Sequence, residues 1–310
     1  MSSPLRPGTH SFTVPAKGVT LEYVVYQPST VPDRLVVVQC PGWGLGSRYL
    51  QRGLSDLWES SPGFIVVFFH PRGTAGSSRP RDETQMRTMP DMASDLDDLR
   101  SHLGLDQYPV LLGHSNGGAI ALGYAEMYPD RIQRLILLNH QVVGFRDRSQ
   151  LQCESTRHDP RYQGAWKNLL HRRSETDEAF TASVNGLWPL YFYDPQQYVQ
   201  GLIRDIGDQP MCVWCYQNQG RCDEGLENPT QMMDRLRNVR AKTLVIFGRD
   251  DLICGVKVAE RTTEGIPDSQ AILYDACGHF PWIEHKERTL ADIRGFIQGK
   301  LESQEPATVH

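Results

Sequence analysis

Residues 111–129 read LLGHSNGGAIALGYAEMYP: an apolar run ends at Gly113, Ser115 follows, Gly117 comes two residues later, and a helical pattern begins. This is G-x-S-x-G at a strand-to-helix junction, the setting that a nucleophile elbow requires. Side chains at either glycine would meet neighbouring backbone, and the serine is forced into a strained conformation with its hydroxyl outward. The competing reading is an ordinary glycine-rich bend. The rest of the chain decides between them, because a serine hydroxyl is a weak nucleophile near neutral pH and needs a histidine base oriented by an acid.

Both partners appear downstream, in the order Ser, acid, His. TLVIFGRDDLIC ends a strand pattern with Asp250 and Asp251, and LYDACGHFPWIEH ends the last one with His279. Asp251 is the chosen acid because it holds the last place of a G-x-x-D turn. A developing oxyanion needs two N–H donors, one from the residue after the nucleophile and one from an earlier strand-end loop. Asn116 supplies the first, and Trp43 in PGWG (residues 41–44) is the candidate for the second. Gly42 and Gly44 would let substrate approach the backbone closely.

Working outward, β-branched runs recur at residues 21–26, 35–39, 64–69, 109–113, 134–138, 243–248 and 271–275, separated by glycine turns and amphipathic stretches. This pattern predicts an α/β fold with a mostly parallel central sheet flanked by helices. Met92, Leu96, Leu99 and Leu103 are spaced as the apolar face of a helix, with Asp95, Asp97 and Asp98 on its solvated side. The alternation stops between residues 145 and 240, which predicts an inserted, mainly helical lid. The core is then residues 1–144 and 241–300, and residues 301–310 form a flexible tail. Within the lid a helix start is expected at Ser174, and Trp188, Tyr191, Phe192 and Tyr193 form an aromatic group serving as lid core or as pocket lining. Trp188, Tyr191 and Phe192 are carried as candidate substrate contacts. His140 joins them, because residues just past strand C-termini face the crevice of such sheets.

The chain has 310 residues with a net charge of −5, which leaves no broad cationic face for nucleic acid. No run approaches the roughly 18 apolar residues of a membrane span, and the start lacks a signal-peptide pattern. A cytoplasmic protein is the expectation. Seven cysteines, an odd number, fit a reducing compartment. CVWCYQNQGRC (residues 212–222) contains a C-x-x-C without a second pair or a histidine pair, and free thiols are the expected state.

Taken together, PGWG, HPRGTAGSSRP, GHSNGG, FGRDD and GHFPWIEH resemble the α/β-hydrolase superfamily, and within it the proline iminopeptidase-like hydrolases. The resemblance implies a triad of Ser115, Asp251 and His279 and substrate selection by the lid; the serine hydrolase expected from them needs no metal and no cofactor. The chain departs from that group where VQCPGWG stands for the usual H-G-G-P-G and HPRG for D-x-R-G, so the resemblance carries fold and triad rather than peptidase activity. The leading expectation is a serine hydrolase cleaving an ester, lactone or amide bond of a bulky, partly apolar small molecule through an acyl enzyme. The alternatives are a proline iminopeptidase-type aminopeptidase, a cofactor-independent dioxygenase and a non-catalytic ligand-binding module. A small-molecule substrate is the partner, and a homo-oligomer is compatible with the sequence.

Overall fold

The apolar runs become strands in the computed structural model, which describes residues 4–26, 34–60, 63–145, 150–170 and 174–301. They are β1 (Gly8–Val14), β2 (Val19–Tyr26), β3 (Leu35–Gln39), β4 (Ile65–Phe69), β5 (Tyr108–His114), β6 (Ile132–Leu138), β7 (Lys242–Gly248) and β8 (Ser269–Tyr274). The single eight-stranded sheet has the order β1-β2-β4-β3-β5-β6-β7-β8. β1 and β2 run antiparallel at one edge, and the rest are parallel. β1 escapes the sequence pattern because it is an outer edge strand whose residues are only half-buried or exposed, so it needs no apolar run. The expected tail lies, from residue 302 onward, outside the described residues.

Side-chain alternation divides the core between the two faces of the sheet. Val37, Val67, Leu111, Leu135 and Val245 point to one face, where they pack with α3 (Ala93–His102), α4 (Ser115–Met127) and α11 (Lys257–Gly265). Val36, Val38, Val66, Phe68, Leu112 and Ile136 point to the other. There they meet α1 (Arg48–Gly53), α2 (Asp56–Glu59), α12 (Pro281–Glu284) and α13 (Lys286–Ile297). Burial on both faces is why β3 to β7 read as continuous apolar runs.

Between β6 and β7 the described residues form helices without strands: α5 (Gln150–Arg157), α6 (Gln163–Leu170), α7 (Asp177–Asn185), α8 (Pro195–Ile206), α9 (Val213–Glu224) and α10 (Gln231–Arg235). α7 begins after Thr176, whose hydroxyl accepts from Ala179 N–H at 3.2 Å, and not at Ser174 as the sequence suggested. The inner residues of this insertion, including Phe180, Trp188 and Phe192, join the second core.

One expectation fails inside α3. Asp95 is not on a solvated face; it is fully buried and receives Arg72 Nε at 2.7 Å and Lys17 Nζ at 3.1 Å. The apolar spacing of the helix holds, but the guanidinium that makes burial of this carboxylate tolerable comes from the loop after β4. Among the described residues no helix is long and apolar enough to cross a membrane.

Candidate active site

Ser115 is the first residue of α4 and has φ +53°, a left-handed conformation that is costly for any residue with a Cβ. The elbow is as tight as the motif requires. A Cβ on Gly113 would lie 2.6 Å from Gly117 O, and one on Gly117 would lie 2.3 Å from Gln39 O. A glycine-to-alanine change inside a helix ordinarily gains about 1 kcal/mol. At Gly117 the opposing atom is sheet backbone that cannot yield, so Gly117→Ala is expected to destabilise by about 3 kcal/mol. A thermal melt unchanged from the wild type would contradict this.

His279 Nδ1 lies 2.9 Å from Asp251 Oδ2, and both side chains are buried. Asn139 Nδ2 donates to the same oxygen at 2.7 Å, while the Ile253 and Cys254 amides donate to Oδ1 at 2.8 and 3.1 Å. Burial alone would push the Asp251 carboxyl up, but the charge of His279 and these hydrogen bonds hold it below the ordinary aspartate range. Asp250, the rejected neighbour, is only half-buried. Ser115 and His279 line one small cavity with Leu45, Trp188 and Phe280. Ser115 Oγ and His279 Nε2 are both buried there, and neither hydrogen-bonds to protein.

The Asn116 amide belongs to the first turn of α4, where N–H groups have no intrahelical acceptor. Its side chain does structural work, since Oδ1 accepts from Gly42 N–H at 2.7 Å and Gln219 Nε2 at 3.2 Å. Trp43 and Tyr191 line both the small cavity and a wider one of about 840 Å³ beside it, whose walls also include Asn116, Trp166 and Tyr216.

The sequence model of the alpha/beta hydrolase fold family matches residues 36–286. The chain belongs to this family. It is 26% identical to a 2-hydroxy-6-oxononadienedioate/2-hydroxy-6-oxononatrienedioate hydrolase of Cupriavidus pinatubonensis, over 84% of this chain and 76% of that one. A probable proline iminopeptidase of Leptolyngbya boryana is 25% identical, over 84% and 85% of the two chains. An alpha/beta fold family hydrolase from Bacillus anthracis has the same fold, with a TM-score of 0.69 at 16% identity, covering 94% of this chain and 99% of that one.

Several expected substrate contacts of this α/β hydrolase sit elsewhere. Gly44 has φ +76° and faces the insertion: a Cβ there would fall 2.4 Å from Cys212 Cβ, and Cys212 N–H donates to Gly44 O at 3.2 Å. Gly42 is covered by Gln219 and Met92, each within 3 Å of where a Cβ would stand. Phe192 stacks in the core against Tyr198 and Phe280 and lines neither cavity. Trp188 and Tyr191 do line the Ser115 cavity, and Tyr191 O accepts from His279 N–H at 2.7 Å.

His140 is also buried away from both cavities, its Nε2 2.8 Å from Thr262 Oγ1. Burial pushes it down to about 3, with the Asp251 charge opposing. The folded protein therefore resists a proton that the unfolded chain takes up below its ordinary value, and stability falls as pH drops through that range. His140→Gln is expected to remove about 1.4 kcal/mol of the stability lost between about pH 7.5 and about pH 5.5. Urea melts at the two pH values check this, and an unchanged difference would contradict it.

Three residues support this arrangement, of which Asn139 and Glu284 went unread in the sequence. Asn139, with φ +41° at the end of β6, bridges Asp251 and Gly278 O. His114 Nε2 lies 3.0 Å from His279 O, and burial and then the His279 charge hold it far below the usual histidine range. Glu284 accepts from the amides of Gly278, Tyr193 and Asp194, tying the His279 loop to the insertion; burial nevertheless pushes its carboxyl up to about 7. Among the described residues, the only clustered trio of side chains able to ligate a metal is Asp251, Cys254 and His279. Both Asp251 oxygens there already accept two hydrogen bonds each.

Proposed function

We propose that the protein is a serine hydrolase of small acyl compounds, in which Ser115 attacks the carbonyl carbon and His279 takes the serine proton. His279 then gives that proton to the leaving group, Asp251 holds the imidazole with its Nδ1 protonated, and water releases the acyl enzyme. The observation that carries this reading is the buried Asp251–His279 pair facing the same cavity as a serine at positive φ. The amides of Asn116 and Trp43 receive the oxyanion.

The insertion serves as the lid. Its Trp188 and Tyr191 line the Ser115 cavity, and its Trp166, Leu190 and Tyr216 wall the wider one. A cavity of about 840 Å³ whose wall mixes aromatic and aliphatic residues with polar and charged ones suits a bulky, partly apolar body, while the small apolar chamber at Ser115 suits a short group on the other side of the scissile bond. Ester or lactone substrates are favoured over peptide amines. Of the two carboxylates on the cavity wall, Asp223 is already taken by Thr88 N–H and Oγ1 at 2.8 and 2.6 Å, and Glu224 is solvent-exposed.

The test is a screen of aryl esters, lactones and proline arylamides with wild type and Ser115→Ala, run in H₂¹⁸O. Turnover of esters or lactones with label in the acid product is expected. Substrate-dependent oxygen uptake without hydrolysis would overturn the reading.

A further inference from the structure

The C-x-x-C that the hydrolase chemistry leaves unused opens α9, with Cys212 at its N-cap position and Cys215 in its first turn. Residues three apart share a helix face, so the two sulfurs lie on one side. Their environments differ. Cys212 is half-buried, and Arg79 Nη2, on an exposed side chain, approaches its sulfur to 3.5 Å. That guanidinium is held in place by stacking over the Trp214 ring at 4.5 Å. Cys215 is buried, with its sulfur 2.9 Å from Gly73 O.

The neighbouring Cys215, through its side chain first and its amide next, pulls the Cys212 thiol below the ordinary cysteine range. Burial and the Asp177 carboxylate, which caps Val213 N–H at 2.8 Å, oppose this, and Arg79 adds to it. A half-buried thiol beside a guanidinium, next to an enclosed thiol on the same helix face, is the division of labour of an attacking and a resolving cysteine.

The same turn touches the oxyanion loop. Cys212 N–H bonds Gly44 O at 3.2 Å, next to Trp43, and along α9 Tyr216 packs edge-on to Trp43 while Gln219 bonds Asn116. Closing a disulfide removes the Cys215 thiol hydrogen from Gly73 O and the thiolate from Arg79, and pulls the turn that abuts Gly44.

We propose that Cys212 and Cys215 are a redox-active dithiol whose oxidation by low-molecular-weight disulfides displaces the Trp43 loop and lowers hydrolysis. Cys212 thiolate attacks one sulfur of the small disulfide and expels one thiolate, leaving a mixed disulfide. Cys215 sulfur then displaces the second thiolate, which carries away the Cys215 proton. The protein gives up two electrons and one proton, and the small disulfide departs as a thiolate and a thiol. The thiol chemistry stands independently of the proposed hydrolase mechanism; only the effect on rate rests on it.

The test incubates the full chain in glutathione buffers of varied oxidation, blocks free thiols, and digests with trypsin. Residues 205–221 form one tryptic peptide holding Cys212 and Cys215 and no other cysteine. The expected result is that this peptide loses two hydrogens, that ester hydrolysis falls severalfold in parallel, and that a dithiol reductant restores both. Cys212→Ser and Cys215→Ser should retain the reduced rate and lose the response. A peptide that stays reduced, or one carrying only glutathione, overturns the dithiol. Disulfide formation with an unchanged rate in a protein that Ser115→Ala inactivates overturns the coupling. If Ser115→Ala leaves hydrolysis intact, the hydrolase mechanism fails while the peptide mass still decides the dithiol.

Discussion

Ser115→Ala is expected to lower kcat on an activated aryl ester by at least about 10⁴-fold, the scale on which removal of a triad nucleophile acts when oxyanion donors remain. The fold should be untouched. Alanine at φ +53° bears the same Cβ strain as serine, and Ser115 Oγ makes no hydrogen bond to protein that the substitution would remove. Kinetics paired with a thermal melt check the claim. A variant within about tenfold of wild type would sink the assignment, because nothing short of a different nucleophile explains that much residual rate.

The second large effect is Asp251→Asn. Two backbone amides, Ile253 and Cys254, donate to Asp251 Oδ1 and will select the oxygen of an asparagine side chain for that place. The amide nitrogen then falls where Oδ2 now receives Asn139 Nδ2 and His279 Nδ1. A donor facing His279 Nδ1 drives the imidazole proton to Nε2, and the ring can no longer accept the serine proton. A fall in kcat of about 10⁴-fold is expected. Loss of two charge-assisted hydrogen bonds in a buried site should also cost about 1–3 kcal/mol of stability. Asp250→Asn, at a residue outside this network, is the control and should leave kcat close to wild type. The reverse ranking would move the acid to Asp250.

The sequence was most legible where one segment decides the outcome. β3 to β7 are apolar throughout because both faces are buried, so their runs announce themselves, and the G-x-S-x-G turn needs only its own glycines and Gln39. Ser115, Asp251 and His279 could be singled out as candidates because each follows a recognisable strand end. What escaped depends on surfaces that meet across long stretches of chain. Gly44 looked open to substrate because nothing near it says that Cys212 covers it, and His140 looked like a crevice residue although Thr262 holds it behind the sheet end. Asp95 seemed solvated for the same reason, since its partner Arg72 comes from another loop. Asn139 carried no motif, and only its bridge between Asp251 and Gly278 reveals its part.

The insertion illustrates the limit from the other side. Its aromatic residues were recognised as a group, but periodicity could not sort Tyr191, whose carbonyl meets the His279 amide and whose ring lines both cavities, from Phe192, which is core. Adjacent residues in one short segment take opposite roles according to which way the chain turns over the site.

The central claim is that Ser115 is the nucleophile, and active-site labelling tests it most directly. An activated fluorophosphonate should lose fluoride to Ser115 Oγ, giving one adduct per chain on the tryptic peptide spanning residues 101–131, and no adduct in Ser115→Ala. Protein that hydrolyses its ester substrate but gains no adduct mass, or gains it on another residue, would contradict the account.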